Sequence, residues 1–385
     1  MITKENCIGC QACVDKCPVS AISFSYDLWG EGHAEVNDEK CINCGLCSKI
    51  CPNLNFKLNS EQVIVVAAVS NLHASCGSSG GIFYELAKSF INSGGVVYGA
   101  AFGDKLKLLH KKACEIDQLK PLCKSKYIHS DMSGIYIDIE NQLKNGMDVM
   151  FVGTPCQVSA VKNLYGEKYR AQLLLVDFLC HGAGTQKVFD ICVKNYEKKH
   201  KAIITDFMFR SKSRKSDHSF TCILKKRNHI KKVSGYSFEF PYYNSFLTYS
   251  IFGDACYHCN YAKRQRVGDI TLGDFWGIQK YRSDLNDQKG CSMLSVNNEY
   301  GKSWINNIRE NCKMFDMPLS CAADNNESFN KPVDYPERKV YLRTILLSKG
   351  EEALVDELRC KNVFEKKLRL GFPKSIKRII KAFVR

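Results

Sequence analysis

Apolar and polar positions divide the chain into three stretches. In the first, Ala21-Ile22-Ser23-Phe24 and His33-Ala34-Glu35-Val36 read as short strands, with Trp29-Gly30-Glu31-Gly32 as the turn between them. The polar residues 53–62 form a linker. After it, apolar runs at 63–69, 96–101, 148–152 and 173–176 read as buried strands. Between them Ile82-Phe83, Leu86-Ala87 and Phe90-Ile91 recur at helical spacing, and residues 135–143 supply a further helix. Strands alternating with helices predict an α/β domain over residues 62–300. From Gly301 onward the segments read as mainly helical and more polar, so 301–385 is expected to be a helical C-terminal region.

Cysteine changes this picture, because the 385 residues include 21 of them. Lys4-Glu5-Asn6-Cys7-Ile8-Gly9-Cys10-Gln11-Ala12-Cys13, followed by Cys17-Pro18, returns as Glu39-Lys40-Cys41-Ile42-Asn43-Cys44-Gly45-Leu46-Cys47, followed by Cys51-Pro52. This C-x2-C-x2-C-x3-C-P spacing lets three closely spaced thiolates wrap one cuboidal 4Fe–4S cluster, while the fourth points to the other cluster. Cys7, Cys10, Cys13 and Cys51 then hold one cluster, and Cys41, Cys44, Cys47 and Cys17 the second. Small residues at Gly9, Ala12 and Gly45 allow backbone amides to approach the sulfurs. Zinc prefers separated ligand pairs, and disulfides belong to secreted proteins. Residues 1–57 resemble a two-cluster ferredoxin domain, which implies an α+β ferredoxin-like fold. The N-terminus has no apolar signal segment and no run approaches the ~20 residues that span a bilayer, so a reducing, cytoplasmic setting is expected.

The formal charge of +15 invites a nucleic-acid reading, but no recognition motif accompanies it. Three clusters with their thiolates, each about −2, would lower the balance to roughly +9, and no nucleic-acid partner is expected. Ile376, Ile379, Ile380, Phe383 and Val384 form a helical stripe opposite Lys374, Lys377, Arg378, Lys381 and Arg385. Such a basic amphipathic tail suits peripheral contact with an anionic membrane surface, and equally docking on protein. The basic runs 210–215 and 225–232 read as solvated surface, where an acidic electron carrier could dock.

Four later cysteines stand out. Cys156, in Gly153-Thr154-Pro155-Cys156-Gln157, and Cys180, in Cys180-His181-Gly182, follow apolar strands, where α/β folds place functional loops. Cys256-Tyr257-His258-Cys259 adds a Cys-x2-Cys hook, which completes a four-thiolate site for a cluster or for zinc. Cys76-Gly77-Ser78-Ser79-Gly80-Gly81 precedes a helix, and such a turn offers free amides to an anion. A plain loop with a Ser N-cap reads equally well there.

These segments, with Lys124-Ser125-Lys126-Tyr127 and Asp269-Ile270-Thr271-Leu272-Gly273-Asp274-Phe275-Trp276-Gly277, come in the order of a known family. Residues from about 75 to 280 resemble the beta subunit of coenzyme F420 hydrogenase/dehydrogenase. The resemblance implies a third 4Fe–4S cluster on Cys156, Cys180, Cys256 and Cys259. It also implies FAD at Ser78, Ser79, Gly80 and Gly81. Lys126 or His181 would steady negative charge on a reduced flavin, and Asp274 and Trp276 either line the cofactor pocket or sit in the core. The implied activity is an oxidoreductase relaying electrons between clusters and a hydride carrier. That carrier is a deazaflavin coenzyme, with ferredoxin or NAD(P)H as other redox partners. The alternative is a non-enzymatic electron-transfer subunit serving a partner oxidoreductase, with surface-polysaccharide metabolism as a conceivable setting.

Overall fold

The computed structural model describes residue 4 and residues 7–59, 64–214, 218–285 and 290–371, with side chains to 367. The basic stripe expected at the C-terminus lies outside the described residues.

The N-terminal unit pairs helix α1 (Ala12–Lys16) with hairpin β1 (Ile22–Tyr26) and β2 (Gly32–Val36), then helix α2 (Leu46–Ile50). The strands run antiparallel from Ile22 opposite Val36 to Tyr26 opposite Gly32. The Asp27 carboxylate closes the turn by accepting the Glu31 amide at 2.7 Å.

After the linker come β3 (Ile64–Ser70), α3 (Ile82–Asn92), β4 (Val96–Phe102), β5 (Leu108–Ala113), α4 (Ile135–Lys144), β6 (Val149–Val152), α5 (Pro155–Tyr165), β7 (Leu173–Phe178) and α6 (Gln186–His200). An antiparallel meander comes next, β8 (Ile203–Phe209), β9 (Ser219–Lys226) and β10 (His229–Tyr236), then α7 (Pro241–Leu247) and α8 (Asp254–Tyr257). The chain ends with β11 (Ile270–Asp274), β12 (Ser292–Val296), α9 (Glu299–Asn307), β13 (Cys312–Met317), α10 (Leu319–Ala323), α11 (Glu337–Leu358) and α12 (Val363–Gly371).

Eight strands form one sheet in the order β13-β3-β12-β11-β7-β6-β4-β5. β4, β6, β7 and β11 are mutually parallel, and β3 shares their direction because β12 runs antiparallel to both β3 and β11. Period-two alternation divides the strand residues between two cores. Met150, Val152, Leu174 and Val176 pack under α3 and α9, while Val149, Phe151, Leu173 and Leu175 pack under α4 and α5. The second core also takes in Cys10, Ala12 and Ile50, so the N-terminal unit shares apolar burial with the sheet.

The C-terminal expectation needs correcting. Cys312–Met317 is an edge strand on β3, so the sheet runs past residue 300: helix α9 is followed by a strand, and the described chain is helical without further strands only beyond Met317. Alternating Met314 and Asp316 with a short apolar count made this strand read as polar chain. The basic run is corrected too: Arg210 is only 4% exposed, because its guanidinium pairs with Asp274 rather than with water. Residues 225–232 form the exposed end of the β9–β10 hairpin.

Candidate functional site

The carboxyl ends of β3, β6, β7 and β11 open on one side of the sheet, where α/β folds bind ligands. A cleft of about 730 Å³ lies there, within the size range of cofactor sites. Its wall includes Ser78, Ser79, Gly81, Lys126, His181, Asp274 and Trp276, so segments far apart in sequence meet in one place.

The glycine turn is held from both sides. Ser79 Oγ donates to the Cys291 carbonyl at 2.6 Å, and the Ser125 amide donates to Ser78 Oγ at 2.8 Å. Both hydroxyls therefore already serve the turn's geometry. Gly80 faces the sheet instead of the cleft: a Cβ there would stand 2.4 Å from the Ala68 carbonyl oxygen. Gly81, at φ +84°, is the N-cap of α3, so no seryl cap forms, and the first amides of the helix face the turn.

Basic groups gather beside that turn. Lys126 lies in the wall with its Nζ donating to the Cys123 carbonyl at 2.6 Å. Burial pushes its pKa down to about 7, and the Cys123 thiol works against that shift. Lys124 is lowered for the same reason, and Lys212 Nζ donates to the Ser79 carbonyl at 3.0 Å. Across the cleft, Arg210 pairs with Asp274 and lays its guanidinium 5.2 Å from the centre of the Trp276 ring. Asp274 and Trp276 are thus cleft residues, not core residues. His181 stacks parallel to Tyr249 at 6.4 Å, and burial lowers its pKa.

Sequence reasoning missed a neutral histidine on the same wall. His110 Nε2 meets the Val152 carbonyl at 3.1 Å and its Nδ1 meets Ser130 Oγ at 3.0 Å, with Gln157 Nε2 donating to that hydroxyl at 2.9 Å. Full burial brings its pKa to about 4. Nothing in the alternating pattern of β5 set this histidine apart.

Behind the cleft, Cys156, Cys180, Cys256 and Cys259 come together. Cys180 feels the charges of the other three, after burial, which is the largest cause of its raised pKa. Burial likewise raises Cys156 to about 11 and Cys256 to about 12. Thr154 Oγ1 lies 3.1 Å from Cys156 Sγ, and the Tyr261 amide donates to Cys259 Sγ at 3.4 Å. Cys180 also lines the cleft.

In the N-terminal unit Cys10 feels Cys13, Cys51 and Cys7, and burial again dominates its raised pKa. Cys17 and Cys47 pack against the small core of Cys13, Ile22 and Ala34, while Cys44 is exposed. Tyr136 and Tyr261 both lie within electrostatic reach of Cys10 and of Cys156, so two phenol groups are near both the N-terminal thiols and the inner set. All described cysteines are unpaired by disulfides. Among the described residues no three His, Cys, Asp or Glu side chains are grouped tightly enough to grip a single metal ion.

Comparison with known proteins finds relatives for two stretches of the chain. Residues 146–317 match the C terminus of the coenzyme F420 hydrogenase/dehydrogenase beta subunit, and residues 6–54 match the 4Fe–4S dicluster domain. The chain thus carries a stretch similar to the C terminus of that beta subunit and a 4Fe–4S dicluster domain at its N-terminus. The first domain is of the iron–sulfur, ferredoxin type that transfers electrons, and the second match is to a subunit of an oxidoreductase.

Among curated relatives, a component of the ion-translocating oxidoreductase complex of Methanosarcina acetivorans is 39% identical over 57 residues, which are 15% of this chain and 20% of that protein. The ferredoxin-type protein NapF of Haemophilus influenzae is 40% identical over 45 residues, 12% of this chain and 26% of that one. The chain thus spans about a fifth to a quarter of the length of these two relatives. A chain of the F420-reducing [NiFe] hydrogenase complex from Methanosarcina barkeri aligns with TM-score 0.44 and 15% identity, covering 76% of this chain and 89% of that one. No helix among the described residues is long and apolar enough to cross a membrane.

Proposed function

We propose that this protein is a flavin-dependent oxidoreductase of the coenzyme F420 hydrogenase/dehydrogenase beta-subunit family. Electrons would run between the two N-terminal 4Fe–4S clusters, a third cluster on Cys156, Cys180, Cys256 and Cys259, and a flavin in the cleft. The observation that carries this reading is the double position of Cys180, which belongs to the inner thiol set and to the cleft wall. A flavin supplies the conversion between one-electron and hydride chemistry when bound.

The donor set fits a cluster better than zinc. Four thiols with no other ligand type suit iron–sulfur chemistry. A cube also takes its thiolates at wider spacing than one ion, in keeping with the absence of a single-ion grouping among the described residues. Thr154 and the Tyr261 amide would donate hydrogen bonds to bound thiolates and so raise the potential.

In the cleft, the α3 N-terminus and Lys126 would hold the flavin's pyrophosphate. Arg210, His181 and Trp276 would surround the ring system, with Asp274 orienting Arg210. The hydride partner best suited to this family is a deazaflavin coenzyme. The cysteine motif unit would span residues 1–57 and the sheet unit 62–317, with α11 and α12 as a helical cover.

Anaerobic purification with iron, sulfide and flavin quantified per chain tests the reading. About twelve irons and one flavin are expected, with cluster bleaching by reduced deazaflavin or NAD(P)H when no other protein is present. Eight irons with one zinc would remove the inner cluster. Bleaching by reduced ferredoxin alone would make the chain an electron-transfer subunit that needs a catalytic partner.

A further inference from the structure

The two copies of the cysteine motif share their cysteine spacing and have opposite surroundings. In the first copy Gln11 takes a left-handed conformation at φ +66°, and in the second the equivalent Gly45 takes the same conformation at φ +70°. The Gln11 side chain is spent on the protein: its Oε1 accepts the Met132 amide at 2.5 Å. Gly45 has nothing within 4 Å of where a side chain would begin. A left-handed glutamine costs conformational energy that glycine avoids, so the first loop keeps a strained residue for the contact it makes.

The neighbouring positions repeat the contrast. Cys10 is 7% exposed and packed in the core beneath α4 and α5, whereas its equivalent Cys44 is exposed. Ile8 packs against that core, whereas Ile42 is 61% exposed. One loop faces the inner thiols and the other faces solvent. An electron that enters the chain from another protein therefore has its short route through the second loop.

We propose that residues 41–47 form the docking face for a small acidic ferredoxin-type carrier, with Leu54, Phe56, Lys49 and Lys57 completing it. Asn55 Nδ2 donates to the Ser48 carbonyl at 2.7 Å, which lays the exposed Leu54 and Phe56 alongside α2. Lys49 and Lys57 are exposed there, close enough for both to act on Glu167, and Lys263 lies 5.2 Å from the Phe56 ring centre. Exposed apolar residues ringed by lysines suit a transient, electrostatically steered encounter with an acidic protein. The net positive charge of the whole chain acts in the same direction at long range.

The transfer is a one-electron exchange. The carrier's reduced 4Fe–4S centre would lose one electron and a cluster held by Cys17, Cys41, Cys44 and Cys47 would take it up, with no bond made or broken. The inference rests on those four thiols holding a cluster, and it seats the carrier here instead of on the basic runs at 210–215 and 225–232, which read first as solvated surface.

The test uses anaerobic, cluster-loaded full-length protein in a stopped-flow instrument, with a reduced acidic two-cluster ferredoxin as donor and dithionite as the control reductant. Iron is counted first, because a chain short of four irons removes the ligand reading before any kinetics. The double variant Ile42→Ser, Lys49→Gln is expected to slow ferredoxin-driven reduction tenfold or more. Its reduction by dithionite should stay within twofold of the parent. The parent's ferredoxin rate should fall as salt rises. Should the variant lose iron, Phe56→Ser with Lys57→Gln, outside the cysteine spacing, decides the matter by the same comparison. An unchanged ferredoxin rate, or a tenfold loss in Lys225→Gln, Lys231→Gln instead, overturns the proposal.

Discussion

Tyr136 donates its phenolic hydrogen to the backbone carbonyl of Cys10 at 2.7 Å. One helix of the sheet unit is thereby bonded to the peptide of the first cysteine loop, and Tyr165 steadies it by donating to the Tyr136 carbonyl at 2.7 Å. Tyr136 and Cys10 are both buried, so Tyr136→Phe leaves an acceptor without water or donor. The expected cost is about 1–3 kcal/mol. Thermal unfolding of the cluster-loaded variant checks it. A melting temperature equal to the parent's would mean that the two units do not depend on this bond.

A buried ion pair plays the corresponding part for the inner thiols. Arg266 is 2% exposed and faces Asp177 at 3.5 Å. It donates to the carbonyls of Tyr261 and Lys263, just after Cys259, and of Phe178, just before Cys180. Asp177 in turn accepts the amides of Val267 and Gly268. Arg266→Met leaves the buried carboxylate with its two amide donors but without a counter-charge, at a cost of about 3–5 kcal/mol. Iron per chain should fall by about four in this variant, with the N-terminal complement retained. Full retention of iron would separate Arg266 from the inner site.

Lys126 gives the cleft a pH dependence. Its folded pKa, about 7, lies below that of an unfolded lysine because burial disfavours the charge. Between pH 7 and about 10.4 the unfolded chain binds more protons at this group, so its contribution to stability rises with pH across that window. An anion has the opposite requirement, because it needs the charged form. Flavin affinity should therefore weaken above pH 7, by up to about tenfold per unit. Fluorescence titration with FAD from pH 6.5 to 8.5 measures this, and Lys126→Gln should flatten the profile. A level parent profile would remove Lys126 from the anion site.

Much of this arrangement was legible in the sequence, for identifiable reasons. Cluster chemistry depends on close spacing along the chain, so Cys7 to Cys51 declare themselves without a fold. Parallel strands buried on both faces leave apolar runs, and β6 and β7 were found that way. The cleft was legible only in pieces, since Ser78, Lys126, His181 and Trp276 meet through the strand order and not through spacing. Arg210 was misread because a basic run normally marks surface, whereas its partner Asp274 lies 64 residues away. Tyr136, Tyr261 and Arg266 carried no signal, because their importance lies in which carbonyl they reach.

The glycine turn allows two effects to be separated. At Gly81 the backbone sits at φ +84°, and an added Cβ would stand 2.4 Å from the His73 carbonyl oxygen and 2.8 Å from the Ala74 Cα. Both obstacles are backbone, so Gly81→Ala must move the turn and with it the Ser78–Ser125 and Ser79–Cys291 bonds. Gly94 sits at φ +90° with nothing within 4 Å of an added Cβ, so Gly94→Ala meets backbone strain alone. That strain is worth about 1–2 kcal/mol. FAD affinity should drop tenfold or more in Gly81→Ala with iron content intact, and stay at the parent value in Gly94→Ala. Equal affinity in both variants would place the flavin elsewhere in the chain, because a turn that can be displaced without effect does not hold the ligand.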